Sequence, residues 1–176
     1  MSTAKLIRAR LSDHLSSLMV VALPRKDATL KEQPMPAPLE WVEMPLDGRM
    51  ALVRSGAPAC WIRTIEKATA LPHKTLCELL GLKLSTVNRK LQNRALLSPD
   101  ETERLMGLQR LIGQVEAVVR DCGDGEPFDS AQWLAAWLQR PNRVLGGALP
   151  GGFLDTAEGR EQLGRLIGAQ RSGAYM

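Results

Sequence analysis

Hydrophobic positions in this chain recur at helical spacing, and clusters of turn residues separate one run from the next. Over residues 4–19, Ile7, Leu11, Leu15 and Leu18 fall on one helical face. Pro24, Pro34, Pro36, Pro38 and Pro45 then break regular structure, and Gln33–Pro38 alternates proline with small residues. That composition predicts an extended, solvated linker, pinned back onto the body by Trp41, Val42 and Met44. Residues 1–54 are therefore expected to be a short helix and a partly disordered linker.

The pattern becomes regular from residue 55. Leu76, Leu79 and Leu80 form a helix face with Cys77 beside it, Gly81-Leu82-Lys83 breaks the helix, and Ser85 is placed to N-cap a second helix. Val87 and Leu91, four apart, turn that second helix inward. The expectation over residues 55–97 is helix, turn, helix. Ser98-Pro99-Asp100-Glu101 then combines an N-cap serine, proline at the first helical position and a capping-box glutamate, so a helix begins there. Leu105, Leu108, Ile112, Val115 and Val119 repeat with alternating spacings of three and four, as in a helix packed along its length. Each of Gly107 and Gly113 costs such a helix about 1 kcal/mol against alanine. Their presence predicts close approach by another element, within the chain or across a dimer.

Asp121, Gly123, Asp124 and Gly125 form a polar turn before Phe128 is expected to re-enter the core. Trp133, Leu134, Trp137 and Leu138 read as the buried stripe of a short helix. Pro141 ends it, and Gly146-Gly147 supply torsions closed to other residues. Thr156 suits the N-cap of a last helix with Leu163, Leu166 and Ile167 on one face, and Gly173 suits its C-cap.

Composition supports this reading. The 176 residues are 44% hydrophobic, 24% charged and only 4% aromatic, with few β-branched runs, which predicts a soluble all-α protein. Cys60, Cys77 and Cys122 are odd in number and lack CxxC spacing, so neither a disulfide framework nor a zinc site is expected. A reducing, cytoplasmic setting fits, and the apolar stretch after Lys5, Arg8 and Arg10 is too interrupted for a signal peptide or membrane span.

Charge changes the picture more. Residues 1–54 hold 8 basic and 6 acidic side chains, residues 55–97 hold 7 and 2, and residues 98–176 hold 8 and 11, giving +2, +5 and −3. The basic middle suits a polyanion and the acidic remainder a protein. On the second helix of the 55–97 pair, Lys83, Ser85, Thr86, Asn88, Arg89, Lys90, Gln92 and Asn93 are candidate DNA-contacting residues. Arg, Asn and Gln can read base edges in the major groove while Lys, Ser and Thr hold phosphates. A helical hairpin with a solvated surface offers the same spacing without any DNA role.

Catalysis finds little support. His14 and His73 lie far apart with neither ligand nor triad spacing, and the acidic pairs Glu101/Glu103 and Glu158/Glu161 serve predicted helix surfaces. Gly146-Gly147 lacks the strand, helix and lysine of a phosphate loop. No enzyme and no cofactor is expected.

Several short motifs, in order, resemble the Xre/MbcA/ParS antitoxins, partners of RES-domain toxins. Leu79-Leu80-Gly81, Ser85-Thr86-Val87, Arg89-Lys90 and Leu97-Ser98-Pro99-Asp100-Glu101 look like their Xre-type helix-turn-helix. Trp137-Leu138, Pro141-Asn142, Leu145-Gly146-Gly147, Pro150, Phe153-Leu154-Asp155-Thr156, Gly159 and the final Gly173-Ala174-Tyr175-Met176 look like their toxin-binding domain. The first fifty residues have no counterpart, and Ala148-Leu149 with Gly151-Gly152 around Pro150 depart from the family's more polar pattern.

The resemblance implies a helix-turn-helix bundle followed by a small helical toxin-binding domain over residues 98–176. It implies an antitoxin that neutralises a RES-domain toxin, NAD-consuming or ADP-ribosylating, by covering its active site with Arg171, Ser172, Gly173, Ala174, Tyr175 and Met176. It also implies a homodimer that binds operator DNA and autoregulates. The alternatives are a helix-turn-helix regulator without a toxin, and a structural helical module.

Overall fold

The computed structural model describes residues 34–122 and 128–170. Among these there are eight α-helices, two short 3-10 turns and no strand, an all-α architecture as expected. The helices are α1 (Pro38–Glu43), α2 (Leu46–Ser55), α3 (Trp61–Thr69), α4 (His73–Leu79), α5 (Leu84–Gln92), α6 (Pro99–Cys122), α7 (Ser130–Leu138) and α8 (Ala157–Gln170). The 3-10 turns, Arg143–Leu145 and Pro150–Phe153, link α7 to α8. The helix expected over residues 4–19, the Gly123/Gly125 turn and the Gly173 cap lie outside the described residues.

The spine is α6, against which α1, α2, α7 and α8 all pack. It begins where the local chemistry dictates: the Ser98 N–H donates to Glu101 Oε2 at 2.6 Å and the Glu101 N–H to Ser98 Oγ at 3.2 Å, a reciprocal capping box. Leu105, Leu108, Ile112 and Val115 are buried as their spacing predicts. Both α6 glycines mark close approach within the chain. A Cβ on Gly113 would lie 2.2 Å from the Pro38 carbonyl oxygen of α1, and one on Gly107 would lie 2.3 Å from Cδ of Arg160 on α8.

Two helices occupy part of the stretch expected to be linker. Proline tolerates a helix start, because its missing N–H would be unpaired in the first turn anyway. Pro38 accordingly opens α1 and Pro45 sits at the N-cap of α2. The Ala37 N–H donates to the Glu40 carboxylate at 3.0 Å, and Gln109, buried on α6, donates to the Pro36 carbonyl at 3.1 Å. Trp41 does pin this segment to the body: it is 2% exposed and meets Trp61 edge to face with centroids 5.9 Å apart. Such a pair adds about 1 kcal/mol beyond its buried area.

The segment from α3 to α5 is closed at its ends. An isolated antiparallel bridge joins Pro58 to Leu96, with Ala59 N–H on Ala95 O at 3.1 Å and Leu97 N–H on Ala57 O at 2.8 Å. Gly56, at φ +84°, allows this crossing, since a Cβ there would stand 2.5 Å from Leu97 O. The Ala57 N–H donates to Thr102 Oγ1 at 3.0 Å, tying the closed unit to the first turn of α6.

Candidate functional site

The helix-turn-helix runs from α4 through Leu80-Gly81-Leu82-Lys83 into α5. Leu76, Leu80 and Val87 are fully buried and Leu82 nearly so, which fixes the angle between the helices. Gly81 takes φ +62°, and the Leu82 N–H returns to Cys77 O at 2.8 Å. Arg104 of α6 donates to the carbonyls of Leu80 at 3.2 Å and Gly81 at 2.9 Å, capping α4 and holding the turn against the spine. Burial, then Glu66 and Glu78, outweigh Arg63 to push the Cys77 thiol up to about 11, so it stays protonated as a small core residue.

Ser85 does not N-cap α5. The helix starts two residues earlier than that cap implies, with Lys83 at the N-cap and no side-chain cap, so Ser85 stands exposed on the first turn. Lys83, Ser85, Arg89, Gln92 and Asn93 are exposed, with Thr86 partly so. Arg94, just past the end of α5, is also exposed, and its φ of +49° turns the chain sharply there.

Two candidates on this helix are drawn inward by partners distant in sequence. Asn88 is half-buried, its amide 2.8 Å from Nε2 of His73, whose Nδ1–H donates to Glu66. His73 thereby links α3, α4 and α5 as a packing residue, and Arg63 completes the chain with an ion pair to Glu66 at 2.9 Å. Lys90 pairs with Glu101, and the two side chains are only 19% and 13% exposed. Burial would raise the Glu101 pKa, but Lys90 and the Ser98 N–H and hydroxyl outweigh it and hold the carboxyl below its usual value. Neither Asn88 nor Lys90 is therefore a free outward group. The exposed remainder offers Arg, Gln and Asn for base edges and Lys and Ser for phosphates.

A second surface has the opposite chemistry. Asp129 caps α7 by accepting from the Gln132 N–H at 2.9 Å. Leu134 and Leu138 are buried as expected, but Trp133 and Trp137 are only half-buried. They stack on each other, centroids 6.1 Å apart and planes 10° apart, with Phe128 packed on Trp133. Phe128 stays 45% exposed rather than re-entering the core. The reason is geometric: four bulky residues at i, i+1, i+4 and i+5 span a wider arc than the neighbouring helices cover.

Beyond α7, Asn142 Oδ1 accepts from the Val144 N–H at 2.9 Å, and Asn142 also exchanges backbone bonds with Gly147 and Ala148. Gly146 and Gly147 take the positive φ of 66° and 87° that their sequence predicts. The turn leaves Val144 and Leu149 exposed. Pro150 and Gly151 then dive inward; a Cβ on Gly151 would sit 2.6 Å from Leu79 Cδ2 of α4, so this turn packs on the helix-turn-helix.

The last helix starts as predicted, with Thr156 Oγ1 accepting from the Gly159 N–H at 3.1 Å and Leu163, Leu166 and Ile167 buried. What anchors it was not anticipated. Arg160 is 6% exposed, donates to Leu154 O at 2.9 Å and pairs with Glu103 at 2.5 Å across α6. The signal was present: an arginine at 160 is in phase with Leu163 and Ile167, the spacing of a buried stripe. The candidate toxin-contacting residues Arg171, Ser172, Gly173, Ala174, Tyr175 and Met176 lie outside the described residues, directly after α8.

No helix among the described residues is long and apolar enough to cross a membrane. Family models match in two places: the Antitoxin Xre-like helix-turn-helix domain over residues 48–110, and the Antitoxin Xre/MbcA/ParS C-terminal toxin-binding domain over residues 125–173. The chain is 36% identical over 131 residues to the Prs ADP-ribosylating antitoxin of a Sphingobium species, covering 74% of this chain and 82% of that relative. It is 24% identical over 123 residues to the Antitoxin Xre of Photorhabdus laumondii subsp. laumondii, covering 70% of this chain and 78% of the relative.

Proposed function

Because this chain belongs to the Xre/MbcA/ParS antitoxin family, with a helix-turn-helix and a toxin-binding domain, we propose that it acts through two separate surfaces. The exposed edge of α5 contacts operator DNA, and the C-terminal domain neutralises a RES-domain toxin. The observation that carries this reading is the presence of two chemically opposed surfaces, a basic polar edge on α5 and an aromatic face on α7.

Neutralisation is steric. Residues 171–176 enter the toxin's active-site cleft, where Tyr175 brings rigid area at low entropic cost and Gly173 lets the segment bend. The docking of α8 through Arg160 and Glu103 gives that segment a fixed base. Phe128, Trp133 and Trp137, within the span matched by the toxin-binding model, extend the same interface to the toxin's surface outside the cleft. The name of the Sphingobium relative refers to ADP-ribosylation of Prs, which favours an ADP-ribosylating toxin over an NAD-degrading one here.

DNA binding is symmetric. A homodimer presents two α5 helices to the half-sites of an operator and represses its own operon. No catalytic group is used, and the protein works in the cytoplasm. The test is co-expression with the RES-domain protein of the adjacent gene, scored by growth and by ADP-ribosylated protein. Unrescued growth at matched, soluble expression removes the toxin assignment and leaves a DNA-binding regulator.

A further inference from the structure

Asn88 is held at one end only. Its Oδ1 lies 2.8 Å from His73 Nε2, while its amide nitrogen bonds no group among the described residues and is not sealed from solvent. On α5 it stands three residues after Ser85 and four before Gln92, both exposed, so the three share one helical face. The open end of the amide therefore belongs to the edge that the proposed function gives to DNA, an assignment on which this inference rests.

The held end is governed by proton chemistry. A carboxylate only accepts, so the ring nitrogen that faces Glu66, Nδ1, carries a proton. Nε2 is then bare in the neutral ring and protonated in the imidazolium. A protonated Nε2 donates to Asn88 Oδ1, the pairing the structure shows, and leaves the NH2 group outward. A bare Nε2 accepts instead, and Asn88 can supply a donor only by turning its NH2 group inward, which puts the carbonyl oxygen outward. From α3 the charged group on the ring is Glu66, with Arg63 paired behind it at 2.9 Å and Lys67 exposed. On α4 itself Lys74 and Glu78 pair with each other at 3.8 Å, and Cys77, one turn on, is a buried, protonated thiol. From α5 the ring meets the uncharged Asn88, and the neighbouring Arg89 is exposed.

We propose that His73 is a positioning residue that sets base preference at α5: its imidazolium presents the Asn88 NH2 group to base-edge acceptors, and its neutral ring presents the Asn88 carbonyl to base-edge donors. In the major groove guanine and thymine offer only acceptors, whereas cytosine offers only its N4 donor. One position in each half-site therefore prefers guanine or thymine in mild acid and cytosine in mild alkali. The rest of the edge, Ser85, Arg89 and Gln92, has no part in this exchange.

The experiment passes a randomised duplex DNA library over the full-length chain at about pH 5.5 and about pH 8, at constant salt, and sequences what is retained. The expected result is that one position per half-site exchanges guanine or thymine for cytosine between the two conditions, by about fivefold, as for one neutral hydrogen bond. His73→Gln, whose amide both donates and accepts without titrating, abolishes the exchange, and His14→Gln, at the chain's other histidine, retains it. Asn88→Ala removes the preference at that position in both conditions. Melting curves report whether each variant is folded; should His73→Gln not fold, the unmodified chain against Asn88→Ala decides the matter. Preferences that are the same at both pH values, or an exchange that survives His73→Gln, overturn the proposal while leaving operator binding by α5 in place. Retention of no sequence, with no salt-dependent affinity for DNA, removes the assignment of α5 to DNA and the proposal with it.

Discussion

The α5 edge and the α7 face differ in how they hold their side chains. On α5, the exposed groups are long and polar, while the positions with bonded partners, Asn88 and Lys90, are spoken for by His73 and Glu101. On α7, the exposed groups are aromatic and hold one another, Trp137 on Trp133 and Phe128 on Trp133. A polar edge can adapt along a phosphate chain and loses affinity with salt. An apolar face gains from excluding water and depends on shape. The α7 face packs on α6, whereas α5 packs on α4 and reaches α6 through Lys90 and Glu101, so the two chemistries share no residues.

The strongest way to break that division is to remove the tail. Deleting residues 174–176 is expected to weaken toxin affinity about 100-fold, the scale of a lost aromatic hot spot, while leaving operator binding and thermal stability unchanged. Growth rescue and a binding titration check it. Full rescue at matched expression would show that the segment is not the plug. Trp137→Ala comes next, with an expected loss of about tenfold to thirtyfold in toxin affinity. Its stability cost must be measured alongside, because the ring is half-buried.

On the other surface, Arg89→Ala is expected to weaken operator binding about tenfold and lower the salt slope by about one unit. Lys90→Ala should leave that slope alone and reduce stability instead, since its ammonium is engaged by Glu101. From sequence alone the two residues looked equivalent. Equal effects on the slope would mean that Lys90 leaves Glu101 on binding DNA, and that the α5 edge is broader than its free-state geometry.

Local signals were the legible ones. The start of α6 was readable because Ser98 and Glu101 are three residues apart, and the Gly146-Gly147 turn because positive φ leaves few alternatives to glycine. Gly107 and Gly113 announced close neighbours but not which ones, since Arg160 and Pro38 are brought there by the tertiary fold. Helical periodicity gives an angle around an axis and not the arc that neighbours cover. Trp133 and Trp137 therefore read as core although their outer faces are bare, and Pro38 and Pro45 read as breakers although each begins a helix. Asn88 and Lys90 were at outward angles, and only long-range partners turned them in.

The smallest expected effect concerns the joint between the α5 edge and the spine, where Lys90 of α5 meets the Glu101 cap of α6. Burial opposes ionisation of Glu101, but Lys90 and Ser98 prevail and hold its carboxyl below the usual value of 4.5 in the folded chain. A carboxyl with a depressed folded pKa contributes stability that is fully present above its unfolded pKa and is lost as pH falls through the folded value. Glu101→Gln keeps a side-chain acceptor for the Ser98 N–H but removes the charge facing Lys90. The substitution should therefore cost about 1 kcal/mol at neutral pH, a charge-assisted bond reduced to a neutral one. The gap between the two proteins should then close as pH drops below about 4.5, where Glu101 in the unfolded chain and then in the folded one takes up its proton. Urea unfolding at a series of pH values measures it. A gap that stays constant into acid would place the cost in altered capping geometry, leaving Lys90 electrostatically uncoupled from α6 and free to serve the α5 edge.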